Sequence, residues 1–70
     1  MDNSSIALEI VESHKEEDEE INLRHLHERL VDNHGYERAM DILSFVREHA
    51  RKNGVPVNAA GYAKWIKENP

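Results

Sequence analysis

Five histidines are the residues of this chain best suited to metal ligation or proton transfer: His14, His25, His27, His34 and His49. A helix brings two ligands together at i, i+3 or i, i+4, and no histidine pair has that spacing. His25 and His27 are two apart, so on a helix they point about 200° from each other. His25 and Glu28 are an i, i+3 pair, but one imidazole and one carboxylate do not make a metal site. Cysteine is absent, which removes thiolate ligands, thiolate nucleophiles and disulfides. The reading is no metal and no cofactor. The histidines do bear on pH response: protonating all five takes the formal charge from −5 to zero, and free imidazole titrates near pH ~6.5.

Nucleophilic catalysis finds no better footing. Ser44 falls inside a helical pattern, where no strained turn presents its hydroxyl. The three glycines are isolated, so no glycine-rich phosphate cradle exists. A chain of 70 residues is also expected to leave little room for a pocket of the usual ~300 Å³. The sequence therefore reads as non-enzymatic.

Charge is the second resource. Residues 1–20 hold eight acids against the single base Lys15, net −7, whereas residues 21–70 hold eight bases against six acids, net +2. Glu16, Glu17, Asp18, Glu19 and Glu20 form an unbroken acidic run. A run of this kind either keeps a linker solvated or meets a basic partner. In the second case it would imitate a row of phosphates on a basic nucleic-acid-binding protein. Bases gather at the other end: Arg47 and Arg51 at i, i+4, Lys52, then Lys64 and Lys67 at i, i+3. With Tyr62 and Trp65 nearby they form a candidate phosphate-contacting patch.

These side chains must be carried by helices. Apolar periodicity predicts a small all-α bundle of four short helices, at about 5–14, 22–33, 36–53 and 58–68, with an acidic linker at about 15–21 in a single domain spanning 1–70. Ser4 or Ser5 can cap helix one. Its end is placed before the acidic run, because carboxylates oppose the negative end of the helix dipole. Asn22 caps helix two, with Ile21 and Leu26 as a hydrophobic staple, and Gly35 is free to take positive φ. Helix three ends at Gly54 with Val55 folding back on Ala50, and Pro56 blocks continuation. Asn58 is expected to cap helix four with Val57 stapled to Tyr62. Gly61 in its first turn costs up to ~1 kcal/mol against alanine, which points to close packing on helix three. The expected core draws on Ile6, Ile10, Val11, Leu23, Leu26, Leu30, Met40, Leu43, Val46, Tyr62, Trp65 and Ile66, with His27 at its edge. No convincing strand pair is read.

Residues 46–66 run Val-Arg-Glu-His-Ala-Arg-Lys-Asn-Gly-Val-Pro-Val-Asn-Ala-Ala-Gly-Tyr-Ala-Lys-Trp-Ile. This stretch resembles the closing helices of plasmid and phage replication-initiation proteins. In those a basic helix ends at a glycine, and an Asn-Pro-Ala-Gly-Tyr-like turn starts a last short helix. Asn58-Ala59-Ala60-Gly61-Tyr62 fits, with Ala59 in place of the usual proline. The resemblance implies a bacterial or phage origin and work near DNA replication or transcription.

The leading expectation is a helical module that binds another protein, with Tyr36, Tyr62 and Trp65 as anchors, since aromatic residues dominate binding hot spots. The alternatives are an acidic DNA mimic using residues 16–20 and weak nucleic-acid binding through Arg47, Arg51, Lys52, Lys64 and Lys67. Self-association as a homodimer stays open, because short helices can leave an apolar stripe uncovered. The start, Met-Asp-Asn-Ser-Ser, lacks the basic region and apolar stretch of a secretory signal, and no apolar run approaches the ~20 residues of a membrane span. No membrane partner and a cytoplasmic location are expected.

Overall fold

The computed structural model describes residues 2–68. Four helices and one two-residue bridge follow in the order α1 (Asn3–Glu16), β1 (Ile21–Asn22), α2 (Leu23–His34), α3 (Tyr36–Asn53), β2 (Val57–Asn58) and α4 (Tyr62–Glu68). The fold is all-α, as the periodicity predicts.

Local chemistry sets the helix ends. At α1 the cap is Asp2 and not a serine: its carboxylate accepts from the Ser5 N–H at 2.7 Å, so the helix starts two residues earlier than predicted. These hydrogen bonds also hold the Asp2 carboxyl below the usual carboxylate range. The far end of α1 runs through Glu16. It closes with Glu19 N–H donating to His14 O at 2.9 Å and Asp18 N–H to Lys15 O at 3.2 Å. Asp18 occupies the left-handed position at φ 55 that glycine normally fills in such a cap. Helix α2 starts as read, with Asn22 Oδ1 accepting from His25 N–H at 3.1 Å. Gly35, at φ 85, ends α2 and begins α3 in one residue. Helix α3 ends on Gly54 at φ 69, where Val55 N–H donates to Ala50 O at 2.9 Å.

Helix α4 departs from the reading. Asn58 does not cap it. The Asn58 side chain accepts from Ala60 N–H at 2.9 Å, and its backbone sits in β2. Strands β1 and β2 pair in parallel, Ile21 with Val57 and Asn22 with Asn58. Residue 57 is therefore extended and exposed instead of stapled to Tyr62. Gly61 precedes the helix at φ 77, and a Cβ there would meet nothing within 4 Å. Its role is backbone conformation and not close packing, and α4 docks chiefly on α2.

Helix α3 organises the core. Both α1 and α2 pack on it, and they barely touch each other. The fully buried side chains include Val11, Ile21, Leu23, Ile42 and Val46, with Ala7, Ala39 and Ala50 between helices. Leu26, Leu30, Leu43, Val55 and Tyr62 complete the buried set, and Ile6, Ile10, Phe45, Trp65 and Ile66 pack half-buried against it. Met40, expected in the core, is half-exposed, and Ile42, which that expectation left out, is fully buried. Two side-chain bonds tie the first turn of α1 to α3: Arg38 Nε donates to Asn3 Oδ1 at 2.9 Å, and Ser4 Oγ lies 3.1 Å from His49 Nε2.

Candidate functional site

The most unusual side chain is His27. It is fully buried, and neither ring nitrogen has a hydrogen-bond partner. Position 27 lies four residues after Leu23 and three before Leu30, so α2 turns it inward with its leucines. Three rings from other elements surround it: Trp65 at 4.7 Å edge-on, Tyr62 at 5.6 Å and Tyr36 at 5.9 Å between centroids. Burial without an acceptor disfavours the imidazolium and holds the His27 pKa below its ordinary value. A neutral imidazole can instead aim its N–H at a ring face.

The three aromatic anchor candidates thus meet at one histidine, but in different states. Tyr62 is buried, Trp65 half-buried and Tyr36 43% exposed. The Arg47 guanidinium lies over the Tyr62 ring at 5.8 Å, a cation–π contact. Burial raises the Tyr62 hydroxyl pKa, and Arg47 pulls it back.

The bases are exposed but not all idle. Arg47 is engaged with Tyr62, and Lys52 pairs with Glu48 at 3.2 Å within α3. Arg51, Lys64 and Lys67 are exposed.

The acids lie at the seam between α1 and α2. Glu16 ends α1, and Glu17, Asp18, Glu19 and Glu20 form the connection to β1, all exposed. Glu20 Oε1 accepts from Asn58 Nδ2 at 2.9 Å. Among the described residues, no ion pair joins the run to a base.

The expectation of little room for a pocket of ~300 Å³ does not hold. Because α1 and α2 both rest on α3 without closing on each other, an open groove of about 340 Å³ separates them. Its apolar lining is Ile6 and Ile10 from α1 and Leu26 and Leu30 from α2, each pair at i, i+4. Polar groups edge it: Glu9, Ser13 and His14 on one wall, Arg29, Asn33 and His34 on the other. His14 is held by its Nδ1, 2.8 Å from Ile10 O. The sequence shows both apolar pairs, yet reads them as closed core. The structure keeps Leu26 and Leu30 in the buried core, as read, while Ile6 and Ile10 stay half-buried, and the helix arrangement opens the groove along their edges.

Two features went unread: the meeting of His27 with Tyr36, Tyr62 and Trp65, and the Ser4–His49 contact, whose partners are 45 residues apart. Among the described residues, no group of three His, Cys, Asp or Glu side chains comes together to hold a metal. No helix there is long and apolar enough to cross a membrane. No family model, curated protein or solved structure matches the chain.

Proposed function

We propose that this protein is a non-enzymatic helical module that binds another protein in the groove between α1 and α2. One observation carries the reading: the open groove of about 340 Å³ floored by Ile6, Ile10, Leu26 and Leu30. Apolar side chains left facing a channel between two helices suit a helical segment from a partner. The resemblance of residues 46–66 to replication-initiation proteins supports a bacterial or phage regulator, acting on DNA replication or transcription machinery. Photocrosslinking tests the reading. A photoreactive benzoylphenylalanine at Ser13, in the groove, should give a discrete partner adduct in the source cell. The same probe at Ser44, exposed on α3, should give none. An adduct from position 44 alone refutes the groove.

The exposed acidic turn favours one second reading, an acidic mimic of nucleic acid that occupies a basic site. Replacing the five acids by Gln and Asn would abolish mimicry outright while an apolar interface kept binding. Unchanged affinity and salt slope would exclude mimicry.

A further inference from the structure

We infer that the groove takes the apolar face of a basic amphipathic helix from another protein, with its cationic end set against Glu16, Glu17, Asp18, Glu19 and Glu20. This rests on the docking role proposed above and adds the chemistry of the partner.

Shape supplies the first argument. Ile6 and Ile10 form one i, i+4 row, and Leu26 and Leu30 another, on walls that share α3 as their base. A helix laid between them would present its own stripe to both rows, the ridge-into-groove geometry of helix packing.

Charge supplies the second. Along the groove Glu9 and Arg29 offset each other formally. Residues 16–20, on the segment joining the two walls, add five negative charges that the groove lining itself does not hold. That run is exposed, and among the described residues no ion pair joins it to a base. A cationic helix end gains there, whereas the phosphates of a nucleic acid are repelled.

The third is that this charge is kept against local preference. Glu16 and its neighbours crowd the negative end of the α1 dipole, and Asp18 adopts φ 55 where glycine would be easier. Breaches of local rules concentrate where a chain is shaped for binding rather than stability.

Two synthetic peptides test the inference on the full chain. Both are about 18 residues, roughly 27 Å of helix, with one identical leucine stripe. One carries Lys at its polar positions and the other Glu. By fluorescence anisotropy at low salt the Lys peptide should bind at least tenfold tighter than the Glu peptide. Its affinity should fall about tenfold as salt screens the run. The variant Glu16→Gln, Glu17→Gln, Asp18→Asn, Glu19→Gln, Glu20→Gln should lose most of that salt dependence. NMR shifts on the unmodified chain should centre on Ile6, Ile10, Leu26 and Leu30, and Ile10→Glu should abolish binding. Shifts in the groove without preference for the Lys peptide overturn the basic partner and leave the docking site standing. Shifts elsewhere, or no binding, overturn both. Sedimentation showing self-association that Ile10→Glu abolishes would make a second copy the occupant and overturn the inference.

Discussion

His27 illustrates how one buried group couples the molecule to pH. Its neighbours with charge or titratable protons are Tyr36 on α3, Tyr62 on α4 and Arg47 over the Tyr62 ring, and none is a carboxylate that could accept its proton. The folded pKa lies below the unfolded value of 6.5. The unfolded chain therefore takes up a proton first as pH falls, and stability present above pH ~6.5 is lost progressively below it. His27→Phe keeps a ring among the aromatics and removes the proton. Thermal melts at about pH 7.5 and 5.5 should show a smaller loss of Tm in the variant than in the parent chain. An equal loss in both would assign the acid sensitivity to other groups. Asp18 carries a second residue-level prediction. Glycine relieves the left-handed backbone and removes a carboxylate from the α1 terminus, so Asp18→Gly should gain about 1 kcal/mol and raise Tm by roughly 4–8 °C. Asp18→Val, which is branched at Cβ, should lower it. The inward turn of His27 was half legible, since it borders the Leu23, Leu26, Leu30 stripe. Its partners were not, because Tyr36, Tyr62 and Trp65 arrive from other elements, and no local pattern records that meeting.

Helix ends were legible at α2 and α3, where one residue decides them, but not at the start of α1, where Asp2 caps in place of the expected serine. Asn22, Gly35 and Gly54 each act through a bond or a positive φ within four residues, and α2 and α3 end where these residues place them. Helix α4 was misread because Val57 and Asn58 have a competing use. Their partners in the parallel bridge, Ile21 and Asn22, are 36 residues away, and Ile21 N–H donates to Pro56 O at 2.9 Å. Two residues carry no detectable alternation, so tertiary pairing overrode a sound capping pattern. Asn22 serves both roles, and a substitution pair separates them. Asn22→Ala removes the acceptor for His25 N–H and should cost about 1 kcal/mol. Asn22→Asp keeps an oxygen there and adds negative charge at a helix N-terminus, so it should restore the loss. Urea denaturation by far-UV circular dichroism checks both, and equal destabilisation by Ala and Asp would shift the weight from the cap to the bridge.

At the scale of the whole molecule, the groove and the stability share one origin. The principal extents are 31 × 28 × 17 Å, and the radius of gyration is 11.4 Å. The thin dimension is that of two helix layers, whose axes lie about 8–10 Å apart. Helices α1 and α2 therefore sit side by side on α3, and among the described residues no element covers the channel between them. This arrangement follows from topology and not from periodicity, which is why the sequence showed the lining and missed the opening. It also puts unusual weight on α3, whose buried side chains serve both neighbours. Leu43 is 3% exposed there, so Leu43→Ala should cost roughly 2–5 kcal/mol. A domain of this size commonly has only ~5 kcal/mol to lose. The variant should lose its cooperative far-UV melt near 37 °C and drop α1, α2 and α4 together. Ile10→Ala, at the half-buried rim of the groove, removes an equally large side chain where solvent already fills part of the space. It should cost less and leave the melt cooperative. If both variants melt within a few degrees of the parent chain, α3 is not the common base of the fold. If both unfold, Ile10 belongs to the closed core and the groove has no free apolar wall.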